Sequence, residues 1–143
     1  MNKKAEQFKA FLETNKITAF KMEEVQADVR NTVVFRSFIA VEGQQLPTML
    51  VTDDSVFLVI RVLIVPQAMR EKDALALLKM VNEQNIRYKP FKLFFEETGD
   101  LVLDACMLTK DDRLDGNDVY RMYNAIIDYL NKNYREIMKT VWQ

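Results

Sequence analysis

The pattern of apolar and polar positions changes its period several times along the chain, and each change predicts a new element. Apolar residues three and four positions apart indicate amphipathic helices. Between these helices, apolar residues on alternate positions or in short β-branched runs indicate strands. The predicted helices are Lys3–Thr14, Arg70–Gln84 and Asp115–Thr140. The apolar stripe predicted for the second helix consists of Ala74, Leu77, Leu78 and Val81. The predicted strands are Asn31–Val41, Leu46–Thr52, Val56–Val65, Tyr88–Glu96 and Leu101–Leu108.

Turn residues between the strands predict antiparallel pairing. Gly43 lies in the turn between the first two strands, and Gly99 lies in a short loop of the kind that joins hairpins. The segment Ile17–Val25 fits either an edge strand or an extended linker. Nothing in the sequence divides the chain, so we predict one α+β domain over residues 1–143. Its order is helix–three antiparallel strands–helix–two-strand hairpin–long helix, with the sheet packed against the helices.

Composition limits the partners that we expect. The 143 residues include 20 Lys and Arg against 21 Asp and Glu, which gives a net charge of −1. A near-neutral chain has no general attraction for nucleic acid or anionic lipid. The basic and aromatic residues of Arg87–Lys92 alternate as in an ordinary strand, so we predict no nucleic-acid partner.

Hydropathy and cysteine usage indicate a cytoplasmic protein. The apolar run Val56–Val65 is interrupted by Arg61 and is too short to span a bilayer, so we expect no membrane partner. The N-terminal residues are charged and amphipathic, unlike the apolar core of a signal peptide. Cys106 is the only cysteine, so no intrachain disulfide can form, which fits a reducing compartment.

Candidate catalytic chemistry is sparse. The absence of histidine excludes His-based triads, His general bases and His metal ligands. Cys106 lies on an alternating strand without an activating neighbour, so we expect a buried structural thiol. The loop Asp111–Gly116 resembles a calcium loop, but Arg113 and Met122 occupy positions that need oxygen ligands. We therefore predict that the protein is not an enzyme and has no metal or cofactor.

One segment carries a family resemblance. The stretch LLKMVNEQNIRYKPFKLFFEETGDLVLDACML, Leu77–Leu108, contains a helix ending at Val81–Asn85 and a hairpin turning at Gly99-Asp100. It resembles the YbjN family, whose members are similar in fold to type III secretion chaperones, and the wider element order matches over most of the chain. The resemblance implies a homodimer that holds an extended client polypeptide on hydrophobic surfaces. YbjN-like proteins are described as regulators without an established reaction, so no catalytic residue carries over.

Two arginines interrupt strongly apolar strands. Arg36 and Arg61 are candidate client or ligand anchors, because a charge within such a strand is costly without a partner. One interpretation places each arginine at an edge or in an internal pair with a carboxylate. The other makes it a cationic anchor on a concave sheet face, where it would grip a client carboxylate or backbone.

The last helix is apolar over more than one stripe, which predicts that it buries more than one face. One face can cover the sheet and leave another for a second subunit or a client. A single wide core contact is the alternative interpretation. The candidate interface residues are Tyr120, Met122, Ile127, Tyr129 and Tyr134.

These observations favour a binding protein. We predict a non-enzymatic, polypeptide-binding chaperone-like protein or regulatory adaptor that forms a homodimer. The alternative is a small-ligand sensor that binds an anionic metabolite on the apolar sheet face, with Arg36 or Arg61 as the anion anchor.

Overall fold

One antiparallel sheet of six strands carries three helices on one of its faces. The computed structural model describes all residues, 1–143. The helices are α1 (Lys3–Thr14), α2 (Ala74–Arg87, preceded by a 3₁₀ turn at Glu71–Asp73) and α3 (Gly116–Val141). The strands are β1 (Lys21–Glu24), β2 (Val33–Val41), β3 (Gln44–Thr52), β4 (Phe57–Val65), β5 (Lys92–Phe95) and β6 (Leu101–Leu108).

The strand order across the sheet is β1-β2-β3-β4-β6-β5, and all neighbours are antiparallel. Strands β1 to β4 follow one another as a meander. Helix α2 then carries the chain over one face to the far edge, where β5 begins, and β6 returns between β5 and β4. The short strands β1 and β5 form the two edges of the sheet.

Alternation within the strands places the core on the helix side. In β2, for example, Val33, Phe35 and Ile39 are buried, whereas Arg36 and Phe38 are exposed. Successive side chains of a strand point to opposite faces, so one set meets the helices and the other set does not. The core-facing residues of the long strands join the apolar stripes of all three helices in one cluster.

Caps and a close approach fix the helices over this core. The side chain of Asn2 accepts a hydrogen bond from the Ala5 amide at 2.8 Å at the start of α1. Asp115 caps α3 by accepting from the Asn117 amide at 2.9 Å. At Gly116, a Cβ atom would overlap the Phe11 ring, so glycine allows α1 and α3 to meet there.

The α+β prediction is confirmed, with two differences of detail. Lys21–Glu24 pairs with β2, so the segment that fitted an edge strand or a linker is an edge strand and the first run has four strands. The outward face of α2 also differs from the sequence expectation. Leu78 was predicted on its core stripe, but it is exposed, whereas Met80 and Gln84 are buried.

No helix of the chain combines the length and the apolar character needed to cross a bilayer.

Candidate functional site

The sheet face opposite the helices is largely uncovered. We call it the open face. The strands place both apolar and charged side chains there, and several of them are exposed or half-buried. Its central residues are Arg36, Phe38, Met49, Arg61, Leu63 and Cys106.

A row of mostly charged residues crosses the open face at one level. Register pairs Lys21 with Arg36, Arg36 with Met49, Met49 with Arg61, Arg61 with Asp104, and Asp104 with Lys92. Residues paired in this way lie side by side on the same face, about 5 Å apart. Charges that are far apart in the sequence therefore form one line on five of the six strands, with Met49 between them on β3.

Arg61 is the most constrained member of this row. Its Nε and one terminal nitrogen donate to the two carboxylate oxygens of Asp104 at 2.7 and 2.8 Å, and its other terminal nitrogen donates to Glu96 at 3.1 Å. The hydrogen bonds to Asp104 raise the pKa of the Arg61 guanidinium, against the lowering effect of burial. The guanidinium also lies 5.5 Å from the centre of the Phe94 ring. Arg61 thus adopts the internal pair that was one of the two interpretations of this residue.

Arg36 is much freer. Its side chain is about half exposed and has one ion pair, from Nε to Glu23 at 3.3 Å. One terminal nitrogen lies 4.0 Å from the sulfur of Met49. The neighbouring Lys21 is exposed and has no carboxylate partner. This end of the row therefore presents two accessible cations.

A concavity of about 500 Å³ lies over this row. Its volume falls within the range of known ligand sites. Phe38, Pro47, Met49 and Leu63 supply much of its apolar lining. Its charged lining consists of Lys21, Arg36, Arg61, Glu96 and Asp100.

A second concavity of about 600 Å³ lies next to the first, at the end of the sheet where β3 begins and β4 ends. Pro47 and Leu63 line both, so the two adjoin, and we call them together the groove. Trp142, Tyr134 and Met138 from the end of α3 form its far wall.

Arg70 holds the exposed Trp142 in place. The guanidinium of Arg70 lies 5.7 Å from the indole centre. The same guanidinium donates to Asp73 at 2.9 Å and to the carbonyl oxygen of Val141. The tryptophan is therefore an exposed aromatic surface on a fixed support.

Two of the five predicted interface residues of α3 lie in the core, and the other three are half-buried against it. Tyr129 is 2% exposed and Tyr134 is 8% exposed, while Tyr120, Met122 and Ile127 are half-buried against the core. The hydroxyl of Tyr129 donates to the Gln84 side chain at 2.8 Å, so its ring faces α2. This corrects the expectation of an accessible face at Tyr129. The second stripe of α3 packs fully or partly against the core, which favours the alternative interpretation, a wide core contact.

Two further positions differ from what the sequence suggested. Cys106 is exposed on the open face, not buried, because its strand turns this side chain away from the helices. Helix α2 is the helix that exposes an apolar surface to solvent, at Leu75, Leu78 and Ile86. No cluster of three or more His, Cys, Asp or Glu side chains has a geometry that could hold a metal ion.

Sequence reasoning missed Phe38, Met49 and Trp142 as site residues. Phe38 had a usable signal, because it shares a strand face with Arg36, two residues away. Trp142 had none, since only tertiary packing places it in the same concavity as Pro47 and Leu63.

No protein-family model matches this chain, and no curated protein matches it. The resemblance to the YbjN family stays a prediction.

Proposed function

We propose that this protein binds an extended polypeptide segment in the groove and acts as a non-enzymatic chaperone-like protein or regulatory adaptor. The observation that carries the proposal is that the two concavities share Pro47 and Leu63 in their linings and so adjoin. From Arg61 to Pro66, the residue after β4, the groove follows the strand for about 17 Å at the usual rise per residue. About five residues of extended polypeptide match that length.

The lining suits varied apolar side chains. Met49 and Met138 are flexible thioethers that adapt to different partners. Phe38, 66% exposed, and Trp142 are aromatic surfaces of the kind that anchor binding partners. A chain that laid apolar side chains on both would bury exposed aromatic area at each end of the groove.

The charged groups support binding more than catalysis. The carboxylates of Asp104 and Glu96 both accept hydrogen bonds from Arg61. A general acid–base pair needs carboxyl groups that are free to exchange protons with a substrate. These two groups serve instead as partners of an internal cation.

A small anionic metabolite is the alternative ligand. The volume of the first concavity and the accessible cations Lys21 and Arg36 favour it. Glu96 and Asp100 line the same concavity and would repel an anion that filled it. The polypeptide interpretation accounts for both signs of charge and for the continuation to Trp142.

The test is a selection of displayed random peptides on the intact protein, followed by calorimetric titration of one enriched peptide. We expect Phe38→Asp to weaken binding about 10-fold or more, as for a central aromatic anchor. Phe38 is exposed, so the variant should keep its fold, which circular dichroism would check. The matched control is Val29→Asp, 93% exposed in the loop before β2, which should bind like the unmodified protein.

Two results would count against this function. Equal affinity in Phe38→Asp and Val29→Asp would place the peptide outside the groove. Failure to enrich any peptide, together with thermal stabilisation by anionic metabolites that Arg36→Met abolishes, would favour the sensor instead.

We also propose that the protein forms a homodimer through α2. Leu75, Leu78 and Ile86 form an exposed apolar stripe on this helix. Lys79 and Glu83 are exposed and lie four residues apart, so an antiparallel second copy would place the lysine of each helix near the glutamate of the other.

We also propose a cytoplasmic location. The single exposed thiol of Cys106 supports a reducing compartment.

A further inference from the structure

The charges around the first concavity are separated by sign. Toward β1 and β2, the cations Lys21 and Arg36 face one carboxylate, Glu23. The carboxylate of Glu23 forms an ion pair with Arg36, and Glu23 does not line the concavity. This end therefore carries a surplus of positive charge.

The opposite end carries a surplus of negative charge. Arg61 is shared by two carboxylates, Asp104 and Glu96, and Asp100 adds a third. Lys92, next to Asp104 in the register, points its ammonium at the Phe94 ring, 4.9 Å from the ring centre, and does not line the concavity. Three carboxylates thus stand against two cations here, and one of those cations is turned away.

The separation between the two ends has a defined length. Arg36 and Arg61 are two strands apart, and Asp104 is one strand further. At about 4.8 Å per strand, the charged ends lie roughly 10–14 Å apart. An extended chain that crosses the strands over the first concavity, at right angles to the stretch along β4, covers that distance in about three or four residues.

We propose that the groove selects polypeptide segments of mixed charge, with an acidic side chain at Lys21 and Arg36 and a basic side chain three or four residues away at Glu96, whose carboxylate lies 3.1 Å from Arg61. This inference rests on the proposed function and names the chemistry of its client. Phe38, Met49 and Leu63 contact the apolar residues between the two charges. A segment with two acidic or two basic side chains would satisfy one end and be repelled by the other.

The test uses one enriched peptide made in four versions that differ at two positions four residues apart: acidic with basic, acidic with acidic, basic with basic, and Gln with Gln. We expect the mixed version to bind about 10-fold tighter than the Gln version at low salt, the gain of two exposed ion pairs. That gain should shrink as the salt concentration rises.

Arg36→Glu locates the effect. In this variant the mixed peptide should lose its advantage, and the version with two basic residues should become the tighter binder. The control is Arg121→Glu, on the exposed side of α3 away from the groove, which should keep the original ranking.

The outcomes separate the two proposals. Equal binding of all four versions, or tightest binding of a like-charged version to the unmodified protein, would overturn the charge selection and leave polypeptide binding intact. Failure of every version to bind would overturn both.

Discussion

Arg61 illustrates how a charge is accommodated on an apolar strand. Asp104 is 8% exposed and binds the guanidinium through both carboxylate oxygens, while the Phe94 ring lies against it. Such two-point, charge-assisted hydrogen bonds fix geometry as well as adding energy. The cluster of Arg61, Asp104 and Phe94 therefore forms a rigid wall of the groove. The accessible cations of the groove are Arg36 and Lys21.

Removing one member of this pair should cost more than removing both. Arg61→Met leaves Asp104 buried without its partner, and we expect a loss of roughly 1–3 kcal/mol in the free energy of unfolding. The double variant Arg61→Met with Asp104→Leu should recover most of that loss. Urea denaturation of the two single variants and the double variant measures this directly. A single Arg61→Met variant as stable as the unmodified protein would show that the pair contributes little.

The sequence identified the arginines but not their roles. Arg36 and Arg61 have the same local signal, a charge within an apolar strand. The two arginines differ because Arg61 pairs with Asp104, which lies 43 residues further along the chain. Only the register between β4 and β6 places Asp104 next to Arg61. Residue spacing within one strand carries no information about such a partner.

Helices α2 and α3 show how an element divides between core and surface. Helix α3 buries its main apolar stripe and half-buries much of the second, because it packs against α1, α2 and the sheet. Helix α2 buries one stripe and exposes a second. An exposed stripe on a well-formed helix marks a surface that another molecule can cover.

A substitution on this stripe should separate the proposed homodimer into monomers. Ile86 is 74% exposed, so Ile86→Asp should leave the monomer folded while placing a charge in the proposed interface. We expect multi-angle light scattering to give the mass of a dimer for the unmodified protein and of a monomer for Ile86→Asp. The control is Leu108→Asp, 76% exposed on the open face. Dissociation by Leu108→Asp alone would place the second copy on the open face, contrary to both proposals.

Element prediction succeeded where periodicity was strong. The two outer helices and the long strands follow clear patterns of period 3.6 and 2. Strand β1 was ambiguous because it has four residues and no buried one, so it carries no alternation. The stripe of α2 was partly misassigned because leucines occupy both of its faces, and only packing decides which face is covered.

At the scale of the whole molecule, the architecture has two layers and leaves one sheet face uncovered. The sequence predicted a sheet packed against helices, but β4 is apolar on both faces and so gave no indication of which face the helices cover. The groove arises from this asymmetry and from the position of the end of α3, where Trp142 lines the same concavity as Pro47 and Leu63. Such a site depends on tertiary structure throughout.

Mapping backbone amide shifts by two-dimensional NMR, during titration with one selected peptide, tests polypeptide binding in the groove most directly. We predict the largest shifts at Phe38, Met49 and Leu63, together with the indole N–H of Trp142. Shifts confined to Leu75 and Ile86 on the opposite side of the molecule, with the groove unchanged, would contradict the proposed function.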